Sequence, residues 1–213
     1  MAAPFDLRFD CGRICLDLMA TTGRSAERLA GPEQLAAWLV GAGVVPGSTQ
    51  LGAVDRGWVV RFRMLRELLR RVVHDELCGR AADGDLRLLN AAAAAAPVPP
   101  DRAVRADDGA LVRTLAAPPD CAGLLAAVAR DAIGMLTDGA TRGRLRQCEG
   151  ESCALVYLDT SRGRRRRWCS SEVCGNRERV ARHRRRAVSR AGQQAAVGAQ
   201  VQLPAVRTVP TKT

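Results

Sequence analysis

Apolar positions recur every three to four residues through most of the first two-thirds of the chain. After Asp55, the residues Trp58, Phe62, Leu65, Leu69, Val72 and Val73 fall on one face of a helix running to about Cys78. Asp55 is its expected N-cap and Gly79 its stop. Pro32 opens an earlier helix carrying Leu35, Trp38 and Leu39, closed by Gly41 and Gly43. Asp83 is the expected cap of a third helix, with Leu86, Leu89 and the run Ala91–Ala96, before Pro97, Pro99 and Pro100 break the chain. Asp120 caps a fourth, with Leu124, Leu125, Val128, Ala132, Met135 and Leu136 on its buried face and Asp138-Gly139 at its end. Ala103–Arg105 and Leu111–Leu115 flank Asp107-Asp108-Gly109, the pattern of a short hairpin. Ile14–Thr22 is apolar with the single acid Asp17, and periodicity alone assigns it to neither helix nor strand. The pattern predicts an α+β, mostly helical chain: a helical N-terminal domain over residues 1–141 with a short β-hairpin, and a distinct segment after it.

The length of 213 residues and 47% hydrophobic content suit one domain with a real core plus a small module. No apolar run approaches the roughly 18 residues of a spanning helix. The opening residues Met1–Asp10 have neither the basic nor the apolar region of a signal peptide, which predicts a cytoplasmic protein with no membrane partner. Charge changes the picture more. The net charge is +11, and all but one of the basic residues are Arg, with Lys212 the sole lysine. Such a skew reflects coding bias, so the distribution carries the information. Residues 1–141 hold 16 Arg against 17 acids, whereas residues 142–190 hold 15 Arg against 5 acids. A basic module facing a polyanion, beside a near-neutral domain, fits this asymmetry.

Four cysteines fall in that basic segment. Cys148-x4-Cys153 and Cys169-x4-Cys174 are two equally spaced pairs with fifteen residues between them. One structural Zn²⁺ takes four such thiolates in a tetrahedron, each pair closing a small loop and the metal closing the larger one. The rival readings are disulfides, an iron–sulfur cluster or unligated core cysteines; a reducing compartment favours zinc. Leu155–Asp159 reads as a strand, Thr160–Gly163 as a turn and Arg167–Cys169 as the returning strand. A helix follows Cys174 to about Ala196. Knuckle, hairpin, second pair and helix make a treble-clef-like zinc finger over residues 142–196, with Tyr157 and Trp168 packed over the metal. The tail 197–213 reads as disordered. Cys11, Cys15, Cys78 and Cys121 lack paired spacing of this kind and read as buried small hydrophobes.

On the expected helix, Val180, Arg184, Ala187, Val188 and Ala191 share one side, while Arg179, Arg182, Arg186 and Arg190 form a separate stripe. Arg164, Arg165, Arg166 and Arg167 add a cluster on the hairpin, and Arg177 lies at the helix start. Guanidinium groups suit bidentate phosphate contacts and guanine reading in the major groove, so DNA is the expected partner of these nine arginines. RNA, or an acidic protein docked on the same face, are the alternatives. Catalysis is not expected: the two histidines, His74 and His183, sit where exposure suffices, and no phosphate-binding loop, dinucleotide fingerprint or nucleophile elbow occurs. Asp17 has a hydrogen-bonded structural role by default; the sharper reading places a small-molecule effector of the N-terminal domain at Asp17 and Thr21.

Cys148-x4-Cys153, Tyr157-x-Asp159-x-Ser161, Arg167-Trp168-Cys169-Ser170 and Cys174-Gly175-Asn176-Arg177 together resemble the CGNR zinc-finger family of bacterial proteins. Leu16-Asp17-Leu18, the Leu35–Leu39 helix, the Leu65–Leu69 helix and Leu89-Asn90-Ala91 resemble the ABATE domain that precedes that finger, so the resemblance spans about residues 10–190. It implies a regulator of transcription in stress, with the four cysteines as zinc ligands and the finger as the DNA-binding part. Asn176 is then expected to cap the helix, with Gly175 bringing backbone N–H groups near sulfur. Ala20 stands where the family motif has Asn, ahead of Thr21, which implies an altered ligand site.

Overall fold

Each capped amphipathic segment of the N-terminal domain folds as a helix in the structure, a computed structural model that describes residues 4–22, 26–97, 99–151 and 153–186. Arg190, the expected helical residues 187–196 and the tail 197–213 lie outside the described residues. Two compact units make up the chain, residues 1–169 and 170–213. The knuckle and hairpin that the sequence groups with the C-terminal module belong to the first of them.

In the first unit the order is α1 (Ile14–Met19), α2 (Pro32–Gly41), α3 (Arg56–Glu76), α4 (Asp83–Ala94), β1 (Asp101–Arg105), β2 (Leu111–Leu115), α5 (Cys121–Thr137), α6 (Gly139–Arg142), β3 (Leu145–Gln147) and β4 (Val156–Leu158). Helix α3 is the central element and packs against α1, α2, α4 and α5. Its Asp55 cap accepts from the Trp58 N–H, and its buried face is Val59, Phe62, Leu65, Leu68, Leu69, Val72 and Val73 with Arg66 among them. Trp58, expected on that face, is only half-buried, and Val59 takes its place. Phe62 meets Trp38 of α2 edge to face, centroids 6.0 Å apart. Asp120 caps α5 through the Gly123 N–H, and Leu124, Val128, Ala132, Met135 and Leu136 are buried as the spacing requires. Asp83 is not a cap: Ala82 holds that position with no side-chain bond, and Asp83 and Asp85 instead put carboxylates in the first turn. Cys11, Cys15 and Cys121 are buried; Cys78 is exposed because α3 ends at Glu76 and leaves it in the following turn. Among the described residues, no helix is long and apolar enough to cross a membrane.

The hairpin forms at the Asp-Asp-Gly turn. Gly109 takes φ +84°, its N–H bonds the Ala106 carbonyl, and Asp108 accepts from the Ala110 N–H. Strands β1 and β2 pair antiparallel from Asp101↔Leu115 to Arg105↔Leu111. They form a two-stranded ribbon with most side chains exposed.

Helix α1 resolves the ambiguous segment. The free N–H of Cys15 donates to the Asp131 carboxylate of α5 at 2.9 Å, and Asp131 also pairs with Arg13 at 2.9 Å. Asp17 is 6% exposed and accepts the Cys11 N–H at 3.0 Å. Burial pushes its carboxyl up to about 6. The folded chain therefore binds this proton more tightly than the unfolded chain, and Asp17 costs stability progressively as pH rises from about 4 to about 6, at most about 3 kcal/mol. Asp17→Asn keeps an oxygen for Cys11. It is expected to exceed the wild type in stability at pH 7 and to converge with it below pH 4, which urea unfolding of both proteins at the two pH values checks.

Candidate metal centre

Strand β3 delivers Cys148 and strand β4 leads away from the knuckle that follows it. The two pair antiparallel, Leu145↔Leu158, Arg146↔Tyr157 and Gln147↔Val156. The Cys148 N–H closes the knuckle on the Leu155 carbonyl at 2.9 Å, and the Cys153 N–H turns back on Gly150 at 2.8 Å. This corrects the expected pairing of Leu155–Asp159 with Arg167–Cys169: the partner of β4 lies before the knuckle. The returning segment is fastened by single bonds instead, Glu149 N–H to the Arg167 carbonyl at 3.0 Å and Cys169 N–H to the Cys148 Sγ at 3.3 Å.

The buried Asp159 explains why no second strand forms. Its carboxylate accepts from the Ser161 N–H at 2.9 Å, the Ser161 hydroxyl at 2.6 Å and the Arg166 N–H at 3.0 Å. These bonds, the Ser161 contact foremost, hold Asp159 below the usual carboxylate range. They curl residues 159–166 into a loop, with Arg164 at φ +48°. Tyr157 is fully buried and donates to the Arg166 carbonyl at 2.6 Å. Burial pushes its phenol up to about 12, so it stays a donor. Trp168 is half-buried.

In the second unit, Ser170 caps the turn that carries Cys174. Its hydroxyl accepts from the Val173 N–H at 3.2 Å, and its carbonyl accepts from the Gly175 N–H at 2.9 Å. Ser171–Gly175 form a π-helical turn, and residues 176–186 continue as α-helix. The capping expectation is corrected here: Asn176 has helical φ/ψ, Ser170 is the cap, and the Gly175 N–H bonds a carbonyl.

The Sγ atoms of Cys148, Cys153, Cys169 and Cys174 all lie within 4.8 Å of one another. Zn–S bonds of ~2.3 Å in a tetrahedron imply sulfur edges of about 3.8 Å. The Cys153 and Cys169 sulfurs are 3.8 Å apart. Four soft ligands at this separation fit one zinc ion and fill its tetrahedron. Arg8 adds to the surroundings, its Nη1 donating to the Cys169 Sγ at 3.3 Å and its Nη2 to the Cys169 carbonyl at 3.1 Å. Nothing in the sequence pattern connects position 8 with position 169.

The arginines expected to meet nucleic acid divide into two kinds. Arg166 stacks over the Tyr157 ring at 4.5 Å and donates to the carbonyls of Trp168 and Cys169. Arg167 lies over Trp168 at 5.2 Å and pairs with Glu149, whose carboxyl it holds low. Arg179 donates to the Ser171 carbonyl at 3.3 Å. Arg164, Arg165, Arg177, Arg182 and Arg186 are exposed. On the same helix Val180 is 43% exposed, so the side expected to pack is open at that position.

Asp17 and Thr21 are both buried and hydrogen-bonded. The Thr21 hydroxyl donates to the Leu18 carbonyl at 2.6 Å and accepts from Arg66 Nη1 at 3.1 Å. Arg66 also donates twice to Glu27 at 2.7 Å. A groove of about 650 Å³ lies elsewhere, on α3, α4 and α5, lined by Val60, Met64, Leu68, Leu88 and Leu125 with Arg61 and Arg71 among its neighbours.

Comparison with known families agrees with both halves of the chain. The family described as "Putative stress-induced transcription regulator", ABATE, matches residues 12–139, and the CGNR zinc finger matches residues 144–187. No curated protein matches the chain.

Proposed function

The chain belongs to the ABATE family and carries a CGNR zinc finger, and from that premise we propose that it is a zinc-dependent transcription regulator that binds duplex DNA through arginines of its C-terminal module. The observation that supports this reading is the set Arg164, Arg165, Arg177, Arg182 and Arg186, exposed and without an ion pair among the described residues. The zinc centre is structural: four thiolates leave no open coordination position for a reacting water, which favours a binding protein over an enzyme. With aromatics at 3% of the chain, base-stacking platforms for single-stranded RNA are scarce, so duplex is the better-suited target. In this reading the protein acts in the cytoplasm, and the groove on α3, α4 and α5 is where a small-molecule effector of the N-terminal domain would bind.

If five guanidinium groups each neutralise one phosphate, log K falls with log salt at a slope of about −4.5. Fluorescence anisotropy on genomic duplex fragments over a salt series measures it. Changing Arg182 and Arg186 together to Ala is expected to flatten the slope by about 2 while the protein keeps its zinc. An unchanged slope removes these residues from the interface. No binding to any duplex, with a salt-resistant complex to an acidic protein instead, overturns the DNA reading.

A further inference from the structure

We propose that Arg8 is an outer-sphere residue of the zinc centre, which holds the Cys169 thiolate in ligating position and offsets part of the charge of the four sulfurs. The inference rests on zinc occupying those sulfurs. Position 8 precedes the residues matched by either family, 12–139 and 144–187, so neither match assigns it a role.

The segment leading to Arg8 is anchored on alternate residues. Leu7 is buried. The Phe9 ring fills the place where a Cβ on Gly41 would stand. Cys11 is buried, and its carbonyl accepts the Leu158 N–H at 2.8 Å. With its neighbours held on the helices and on β4, Arg8 reaches Cys169 with little freedom, its side chain 21% exposed. Asp10 fixes the guanidinium plane by accepting from Nε at 3.0 Å and Nη2 at 2.8 Å. The remaining donors meet the sulfur and the carbonyl of Cys169. A planar fork with five N–H groups serves these four acceptor atoms at once; an ammonium has only three donors.

The chemistry explains why a cation belongs there. Zn²⁺ with four thiolates carries a formal charge of −2, and Cys169 is fully buried. An N–H bond to a thiolate lowers its charge density and weakens its competition for a proton, and outer-shell bonds of this sort hold metal ligands in place. Arg166 donates to the same Cys169 carbonyl, so two guanidinium groups converge on one ligand.

The test uses the full chain loaded with zinc, and separately with cobalt(II). Wild type, Arg8→Ala and Arg8→Lys are compared for zinc transfer to 4-(2-pyridylazo)resorcinol and for the sulfur-to-cobalt charge-transfer band. Arg8→Ala is expected to speed transfer by about 10- to 100-fold and to move the band to lower energy, because the thiolate becomes more electron-rich. Arg8→Lys is expected to fall between the two. A transfer rate within twofold of wild type, or a band that does not move, overturns the proposal. Should Arg8→Ala fail to fold, Arg8→Lys decides by the same two readings. A wild-type protein that holds no zinc would instead remove the premise.

Discussion

Cys169→Ser is expected to abolish stoichiometric zinc binding and to loosen one part of the chain while sparing the rest. Serine supplies a hard, protonated hydroxyl where the ion needs a thiolate, and the three remaining sulfurs no longer close the tetrahedron. The loss of affinity should exceed the roughly 100-fold that marks the upper range for outer-shell changes. The knuckle after Cys148 and the loop at 159–169 are mostly exposed, so little burial stands in for the metal. Their amides should exchange with solvent far faster. Strand β4 should not, because Leu158 N–H is bonded to Cys11 and Asp159 N–H to Arg144, both independent of the ion. Helices α1 to α5 should retain protection. Metal analysis with hydrogen–deuterium exchange resolves all three regions. Full zinc content in the variant would remove Cys169 from the ligand set, and collapse of α3 and α5 would show that the helical core depends on the metal.

Arg66→Met is the second large effect, in a region with no cysteine. Arg66 is 4% exposed in the middle of the α3 core face. Its guanidinium holds Glu27 with two bonds and Thr21 with a third, tying both residues to α3. Methionine keeps most of the stem volume and removes the fork. Glu27 is left facing Arg63 at 3.5 Å, and the Thr21 hydroxyl loses its donor. The cost should be about 2–4 kcal/mol, somewhat under that of a fully buried broken pair because Glu27 reaches solvent. Urea unfolding measures it, and a cost below ~1 kcal/mol would show that the pair behaves as a surface contact. Combining Glu27→Gln with Arg66→Met should cost less than the sum of the two. The pH dependence has a definite sign. Arg66 hydrogen bonding holds the Glu27 carboxyl below the usual range, so this stabilisation is present above the ordinary glutamate value and is lost as pH falls through the lower folded value. The variant should lack that loss.

Long helices with caps were legible in the sequence because two independent signals agree there. Asp55 and Asp120 each precede a run with helical spacing, and both cap in the structure. Helix α1 was not legible, since six residues carry too little periodicity and its free N–H is satisfied by Asp131, more than a hundred positions away. The metal ligands were legible from spacing alone, because small chelate loops demand close pairs. The pairing of the hairpin is not legible: alternation in Leu155–Asp159 marks a strand but says nothing of its partner, and the Asp159 carboxylate bends the downstream segment away from pairing. Arginines that stack on Tyr157 and Trp168 look the same in sequence as those that meet no ring. What separates them is a ring, a carbonyl or a carboxylate supplied by the fold.

The β1–β2 ribbon carries a hazard of its own. Two strands leave two open edges, and Leu111 and Val112 are 68% and 38% exposed beside them. Such rims template pairing between molecules. Arg102, Arg105 and Arg113 punctuate the ribbon with like charge, and Asp101 joins Arg113 at 3.3 Å. A neighbouring copy aligned parallel and in register along either rim would set cation against cation, an arrangement that like charge disfavours.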